Sequence, residues 1–130
     1  MTRAREAALA ILRSARVPLT AAEIFRSTGS EFDQATVYRT LHWLEDSGLA
    51  DSFVLHCDSH GTERYYTAST DEKGKANPHR HWFHCERCHE FTDLGSCKLR
   101  SLVSSYESEL GLEVRSHTLY FTGICAACRR

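Results

Sequence analysis

Four cysteines set as two Cys-x-x-Cys pairs, Cys85/Cys88 and Cys125/Cys128, carry the most readable chemistry of this chain. Two intervening residues let both sulfurs of a pair turn onto one ion, and four thiolates make the closed tetrahedral shell of a structural Zn2+ site. The 36 residues between the pairs are too many for a compact zinc knuckle. A shared ion therefore pins two distant segments together and staples a domain. Two redox motifs, or unlinked cysteines, are the alternatives. Histidines are the second reservoir of ligands: five of the eight fall between His56 and His84. His79 and His81, two residues apart, share a face of an extended segment and can chelate one ion. The other candidate donors are Asp51, His56, Cys57, His60, His84, Asp93, Cys97 and His117. Cys97 reads as a cap or packing residue of the helix that follows it. His84 adjoins Cys85, points to the opposite face and reads as a surface or supporting residue.

Elements must position these groups. Apolar spacing predicts a helix over 2–15, with Ala8, Ile11, Leu12 and Ala15 on one stripe. Thr20 and Glu23 form a capping box for a second helix. Asp33 caps a third, on which Val37, Leu41 and Leu44 face a core and which Ser47-Gly48 ends. Two β-like runs follow, Ala50–Cys57 and Thr62–Ala68, joined by a turn at Asp58-Ser59-His60-Gly61. Three helices and a hairpin make a winged helix-turn-helix over residues 1–68. Residues 69–78 are polar and aperiodic and read as a linker or hinge. Residues 79–130 read as a small α/β unit, so the whole chain is α+β. Strands are predicted at His81–Cys85 and Glu90–Leu94. A helix over 97–110 places Leu99, Leu102, Val103, Tyr106 and Leu110 on one face, and Gly111 stops it. A strand over Glu113–Ile124 ends in the second cysteine pair. Roughly 50 residues cannot bury a strong core alone, so metal and a partner subunit must support this half.

Net charge is −1, from 16 basic and 17 acidic residues, so no global field draws nucleic acid. The distribution is uneven: residues 1–26 hold five Arg against two Glu, while residues 27–63 hold one Arg against seven acids. Any DNA contact must be local. On the third helix Gln34, Thr36, Tyr38 and Arg39 can point outward from its first half, where a recognition helix reads the major groove. Tyr38 can pack on a thymine methyl or bond a phosphate, and Arg39 can clamp a phosphate or read a base. The alternative is a generic helical domain with a solvated face. Trp43 and His42 read as packing or surface residues. No run approaches a membrane span and no signal core follows the first helix, which reads as a cytoplasmic protein.

Ala35-Thr36-Val37-Tyr38-Arg39-Thr40-Leu41, followed by Leu44 and Gly48-Leu49, resembles the recognition-helix signature of the Fur superfamily of metal-dependent repressors. A His-rich segment running into Cys85-x-x-Cys88, then Ser116-His117-Thr118-Leu119 before Gly123-x-Cys125-x-x-Cys128, extends the likeness over nearly the whole chain. The resemblance implies a winged-helix domain, a dimerisation domain with structural zinc, a sensory metal site near the hinge, and a palindromic operator bound by a homodimer. Asp51 falls where zinc-sensing members place a ligand at the start of the wing. Asp93 falls where members place a carboxylate or thiol. His117 matches a second metal position in some members. The implied regulatory set is Asp51, Cys57, His79, His81, Asp93 and His117, bridging the two domains across the linker. Members usually carry an extra N-terminal helix; here the first helix begins at about Thr2, and Arg3 and Arg5 can stand in for it on DNA. After Arg64-Tyr65 a family ligand is missing, and His56, Cys57 or His60 can replace it. His89 occupies a position that is usually Gly, and Arg100 stands near where some members carry a ligand Glu. The resulting expectation is a zinc-responsive repressor of the Zur branch, with a second, regulatory divalent metal, most simply Zn2+. Repressors of the same fold that sense iron, manganese or peroxide are the alternative, followed by a zinc-stapled protein-interaction module. A closed four-cysteine site and the absence of a His-Glu-x-x-His motif disfavour an enzyme, and no membrane or small-molecule substrate is expected.

Overall fold

The computed structural model describes all residues, 1–130. Two compact units divide the chain at Asn77/Pro78. In the first, α1 (Arg3–Ser14) is capped by Thr2, whose side chain accepts from the Arg5 amide at 3.2 Å. The two-residue strand β1 (Leu19–Thr20) leads into α2 (Ala21–Ser27). The Thr20–Glu23 capping box there is complete: the Glu23 amide donates to Thr20 Oγ1, and the Thr20 amide donates to Glu23 Oε1 at 2.9 Å. Helix α3 (Gln34–Asp46) starts at Asp33, whose carboxylate accepts from the Thr36 amide at 2.8 Å. Hydrogen bonding from the Thr36 side chain first, and from its amide second, holds the Asp33 carboxyl below its ordinary pKa. Strands β2 (Ala50–Cys57) and β3 (Gly61–Ala68) form the hairpin, in register from Ala50↔Ala68 to Cys57↔Gly61. Strand β1 joins it antiparallel on β3, giving the order β1-β3-β2. The core is Ala8, Leu9, Leu12, Ala21, Ile24, Val37, Leu41, Leu44, Ala50 and Tyr66. Arg5 lies 3.9 Å over the Trp43 ring, a cation–π contact that ties α1 to α3. The α+β class and the three helices with a hairpin agree with the sequence pattern. The expected stripe of α1 shifts by one position, since Leu9 is buried with Ala8 and Leu12 while Ile11 lies at the core's margin.

The polar stretch 69–78 is structured through Asn77. Asp71 accepts from the amides of Lys73 and Lys75, both at 2.9 Å, a local turn that competes with extended chain. A bridge pairs Thr70 with Ala76, and Asn77 donates to Ser69 O and Ala68 O. Residues 69–77 thus belong to the first unit.

The second unit is a three-stranded sheet of order β5-β4-β6 with one helix. Strand β4 (Arg80–Cys85) is central, antiparallel to β5 (Phe91–Ser96) and parallel to β6 (Tyr120–Gly123). Helix α4 (Arg100–Leu110) starts three residues later than its apolar pattern, and Gly111 closes it in the left-handed region at φ 67°. The strand expected over Glu113–Ile124 is confined to Tyr120–Gly123. The ladder with β4 begins only at Trp82↔Tyr120; just before it, the His81 ring rather than the main chain meets Leu119 O. No residue of α4 is buried, and Leu102, Tyr106, Leu110 and Phe121 are exposed apolar groups.

Candidate metal centres

Cys85 ends β4 and is fully buried; Cys88 lies one turn on, and Cys125 and Cys128 follow β6. The parallel pairing of Cys85 with Gly123 brings the two pairs together. The four sulfurs lie within 4.8 Å of one another, and Cys88 Sγ is 3.8 Å from Cys125 Sγ. Tetrahedral geometry with a zinc–sulfur bond of about 2.3 Å puts two sulfurs ~3.8 Å apart, so this donor set fits a Zn2+ ion. The Cys125 and Arg87 amides each donate to Cys85 Sγ at 3.4 Å. Amide donation, from Cys125 first and then Cys88, lowers the Cys85 thiol to about 6, while the neighbouring Cys125 sulfur above all pushes Cys128 up to about 12. A bound dication would supply the charge that favours the thiolate form of the set. His89, after the second sulfur of the first pair, sits in the left-handed region at φ 62°. This backbone explains why glycine is usual at that position, and His tolerates it better than branched residues do.

A second cluster forms from His79, His81, Cys97 and His117, again with ligand atoms within 4.8 Å of one another. His81 is buried on β4. Its Nδ1 lies 3.0 Å from Leu119 O, which fixes Nδ1 as the protonated nitrogen and leaves a lone pair on Nε2. Burial is the first reason its pKa is lowered, and the neighbouring His79 and His117 add to it. His117 Nε2 stands 3.1 Å from His81 Nε2 and 3.0 Å from His79 Nε2. One proton on His117 Nε2 satisfies only one of these contacts, whereas a cation satisfies all three nitrogens at once. Cys97 Sγ completes the group at 3.3 Å from His81 Nε2 and 3.5 Å from His117 Nε2.

The remaining expected ligands are not in this cluster. Asp93 pairs across the ladder with Trp82, so strand alternation puts it on the opposite face from His81. There its carboxylate holds the Arg80 guanidinium and accepts from the Gly95 amide. Asp51 accepts from Ser69 Oγ at 2.8 Å, and Cys57 is buried at the end of β2. His84 is 1% exposed and packs on Phe91 and His89, which overturns the surface alternative of its reading and leaves the supporting one. Cys97 does receive the Leu99 amide at 3.4 Å, next to the start of α4, yet its sulfur also joins the histidines. The sequence signal for it was its cysteine identity alone.

On the first unit Gln34, Tyr38 and Arg39 are exposed and Thr36 half-buried on the first half of α3, opposite Val37, Thr40, Leu41 and Leu44. Arg39 donates to Thr36 Oγ1 at 3.3 Å. Arg3 is exposed and pairs with Glu31.

The model of the ferric uptake regulator family matches residues 1–122. A ferric uptake regulation protein of Neisseria meningitidis is 28% identical over 114 residues, covering 85% of this chain and 72% of that protein. A zinc uptake regulation protein of Mycobacterium tuberculosis is 28% identical over 104 residues, covering 80% and 72%. Among solved structures, a zinc uptake regulator complexed with zinc and DNA superposes with a TM-score of 0.65 at 20% identity, over 98% of this chain and 82% of that one.

Proposed function

The chain belongs to the ferric uptake regulator family of metal-responsive regulators, and from that premise we propose that it is a cytoplasmic, zinc-responsive transcriptional repressor. It binds a palindromic operator as a homodimer. The observation that carries this reading is the presence in one small unit of two donor clusters of different kinds. Four thiolates close a permanent structural zinc site. Three histidines, one of them exposed at the margin, form a site that can fill and empty with the ion's concentration. Differential binding of the ion to the DNA-competent arrangement is what a switch requires.

On the DNA side, Gln34, Thr36, Tyr38 and Arg39 enter the major groove and the hairpin serves as the wing. Arg3 contributes to the phosphate backbone by exchanging its Glu31 pairing for DNA. The uncovered apolar face of α4 and β6, with Leu102, Tyr106, Leu110 and Phe121, supports the homodimer. The zinc uptake regulator of similar fold was captured with zinc and DNA, and the mycobacterial relative is a zinc uptake regulator; both favour zinc as the signal. The iron-named Neisseria relative keeps iron as the competing signal.

The test is zinc stoichiometry of the purified chain together with operator binding at buffered metal concentrations. One zinc per chain that resists mild chelation is expected, with a second whose occupancy tracks DNA affinity. DNA affinity that is the same at every metal concentration overturns the sensor reading, and affinity that follows iron(II) but not zinc overturns the choice of signal.

A further inference from the structure

We propose that Cys97 is the fourth ligand of the histidine site, which makes it a centre of three imidazoles and one thiolate, built entirely within residues 78–130 and selective for zinc over iron(II) and manganese(II). The inference rests on the reading of His79, His81 and His117 as a metal site and adds to it the donor that sets the ion.

Distances carry the first step. A tetrahedral ion with bonds of about 2.0–2.1 Å to nitrogen and about 2.3 Å to sulfur separates a nitrogen and a sulfur by ~3.5–3.6 Å. Cys97 Sγ stands 3.3 Å from His81 Nε2 and 3.5 Å from His117 Nε2. The same ion separates two nitrogens by ~3.3 Å, and the two histidine contacts at 3.0 and 3.1 Å are a few tenths shorter.

Backbone structure carries the second step. The Cys97 amide donates to His79 O at 2.9 Å, so the cysteine is tied to the residue that begins the site. Gly95 at φ 83° turns the chain at the end of β5, where Ser96 pairs with Arg80. The thiol receives the Leu99 amide at 3.4 Å, an outer-shell donor of the kind that stabilises a thiolate. The sulfur is therefore held by main-chain bonds on both sides and is not a freely rotating surface group.

The absence of a competing oxygen carries the third step. No Asp or Glu belongs to this cluster. The nearest candidate by sequence, Asp93, is committed to Arg80 on the other face of β4. The donor set is then three imidazoles and one sulfur. Imidazole with thiolate suits zinc, whereas manganese(II) prefers carboxylate, carbonyl and water, and the iron(II) sites of non-heme oxygenases use two histidines and a carboxylate.

The full chain, with zinc retained in the four-cysteine site, is loaded with one further equivalent of cobalt(II). A thiolate-to-cobalt charge-transfer band with tetrahedral d–d bands is expected. Peptide mapping after alkylation should show Cys97 protected only when the second ion is bound. Cys97→Ser should keep the first zinc, lose the charge-transfer band and bind the second zinc more than about 100-fold more weakly, beyond the range of outer-shell changes. Its preference for zinc over manganese(II) should narrow by a similar factor. An unchanged band and affinity in Cys97→Ser, or Cys97 alkylated equally with and without the ion, overturns the sulfur ligand and leaves the histidine reading standing. Failure of the wild-type chain to take up a second ion overturns both. Should Cys97→Ser not fold, the wild-type spectrum and alkylation map decide alone.

Discussion

Withdrawing the ion from the four-cysteine site should unfold residues 78–130 and leave residues 1–77 folded. Only two apolar side chains of the second unit are buried, Trp82 and Cys85, and α4 buries none. At about 1.5–3 kcal/mol for each buried large side chain, these supply at most ~6 kcal/mol. A structural zinc bound by four thiolates supplies about 10–16 kcal/mol of folding free energy at neutral pH. The ion therefore outweighs the apolar core two- to threefold, and marginal domains survive no such loss. The first unit differs: Ile24, Leu41 and Leu44 are fully buried in a core of three helices and a sheet. Hydrogen exchange read by mass spectrometry, with and without a strong zinc chelator, measures both halves in one sample. Amides of Cys85, Glu86 and His89, which donate to Glu90, Gly123 and Cys85 carbonyls, should lose protection on chelation. Amides of Val37, Ser47 and Leu49 should keep it. Persistent protection across β4 in the metal-free chain would refute the reasoning, since packing alone would then be holding the unit.

Thr20→Ala removes one side of the α2 capping box and should cost about 1 kcal/mol, lowering the melting temperature of the first unit by roughly 4–8 °C with zinc content unchanged. Tyr38→Ala and Arg39→Ala, both at exposed positions, should shift stability by no more than about 0.5 kcal/mol yet weaken operator binding, and Arg39→Ala should reduce the salt slope by about 1 if it holds a phosphate. His81 titrates below its ordinary value because it is buried. The unfolded chain then takes that proton first, so with the histidine site empty and the cysteine site filled, its contribution to stability is present above about pH 6.5 and is lost as pH falls through the folded value. Urea midpoints from pH 8 to 5 should fall accordingly, and a flat profile counts against the burial of His81. His81→Ala should cost the chain one zinc by elemental analysis, whereas Cys85→Ser should cost it both.

Local chemistry made most of the first unit legible. Thr20 with Glu23, Asp33 with the Thr36 amide, and Ser47-Gly48 are short-range signals that mean the same thing in any fold. The i, i+4, i+7 spacing of Val37, Leu41 and Leu44 pointed to the buried face for the same reason. Strand β1 escaped notice because two residues carry no periodicity; it exists through its pairing with Tyr65 and Tyr66. In the second unit, spacing on one strand was readable and convergence between strands was not. His79 and His81 share a face by alternation, but which partner faces them depends on the β4–β5 register, and that register contains a shift between Arg80 and Trp82. The regular pairing with Trp82 turns Asp93 away from the site, while Cys97, past the shift and the strand's end, reaches it. Nothing in linear spacing distinguishes these two outcomes. The apolar face of α4 was visible as a stripe, and its exposure became visible only in three dimensions.

The two metal centres depend on each other in one direction only, because they lie at opposite ends of β4. His81 is near its start and Cys85 at its end, four residues on, which is about 13 Å along an extended chain. This strand is the central one, hydrogen-bonded on both sides to β5 and β6. The cysteine site holds β4 against β6 through Cys85 and Cys125, and that pairing brings Leu119 to the ring of His81 and His117 to the cluster. Emptying the cysteine site therefore removes the framework that gathers the histidines. Emptying the histidine site removes contacts at the sheet's margin and leaves the β4–β6 ladder and its sulfur staple intact. The proposed sensor function requires this order: a permanent ion would have to be insensitive to the signal that a reversible ion reports. The donor types enforce it, with four thiolates closed around a buried sulfur at one end and an exposed His79 at the other.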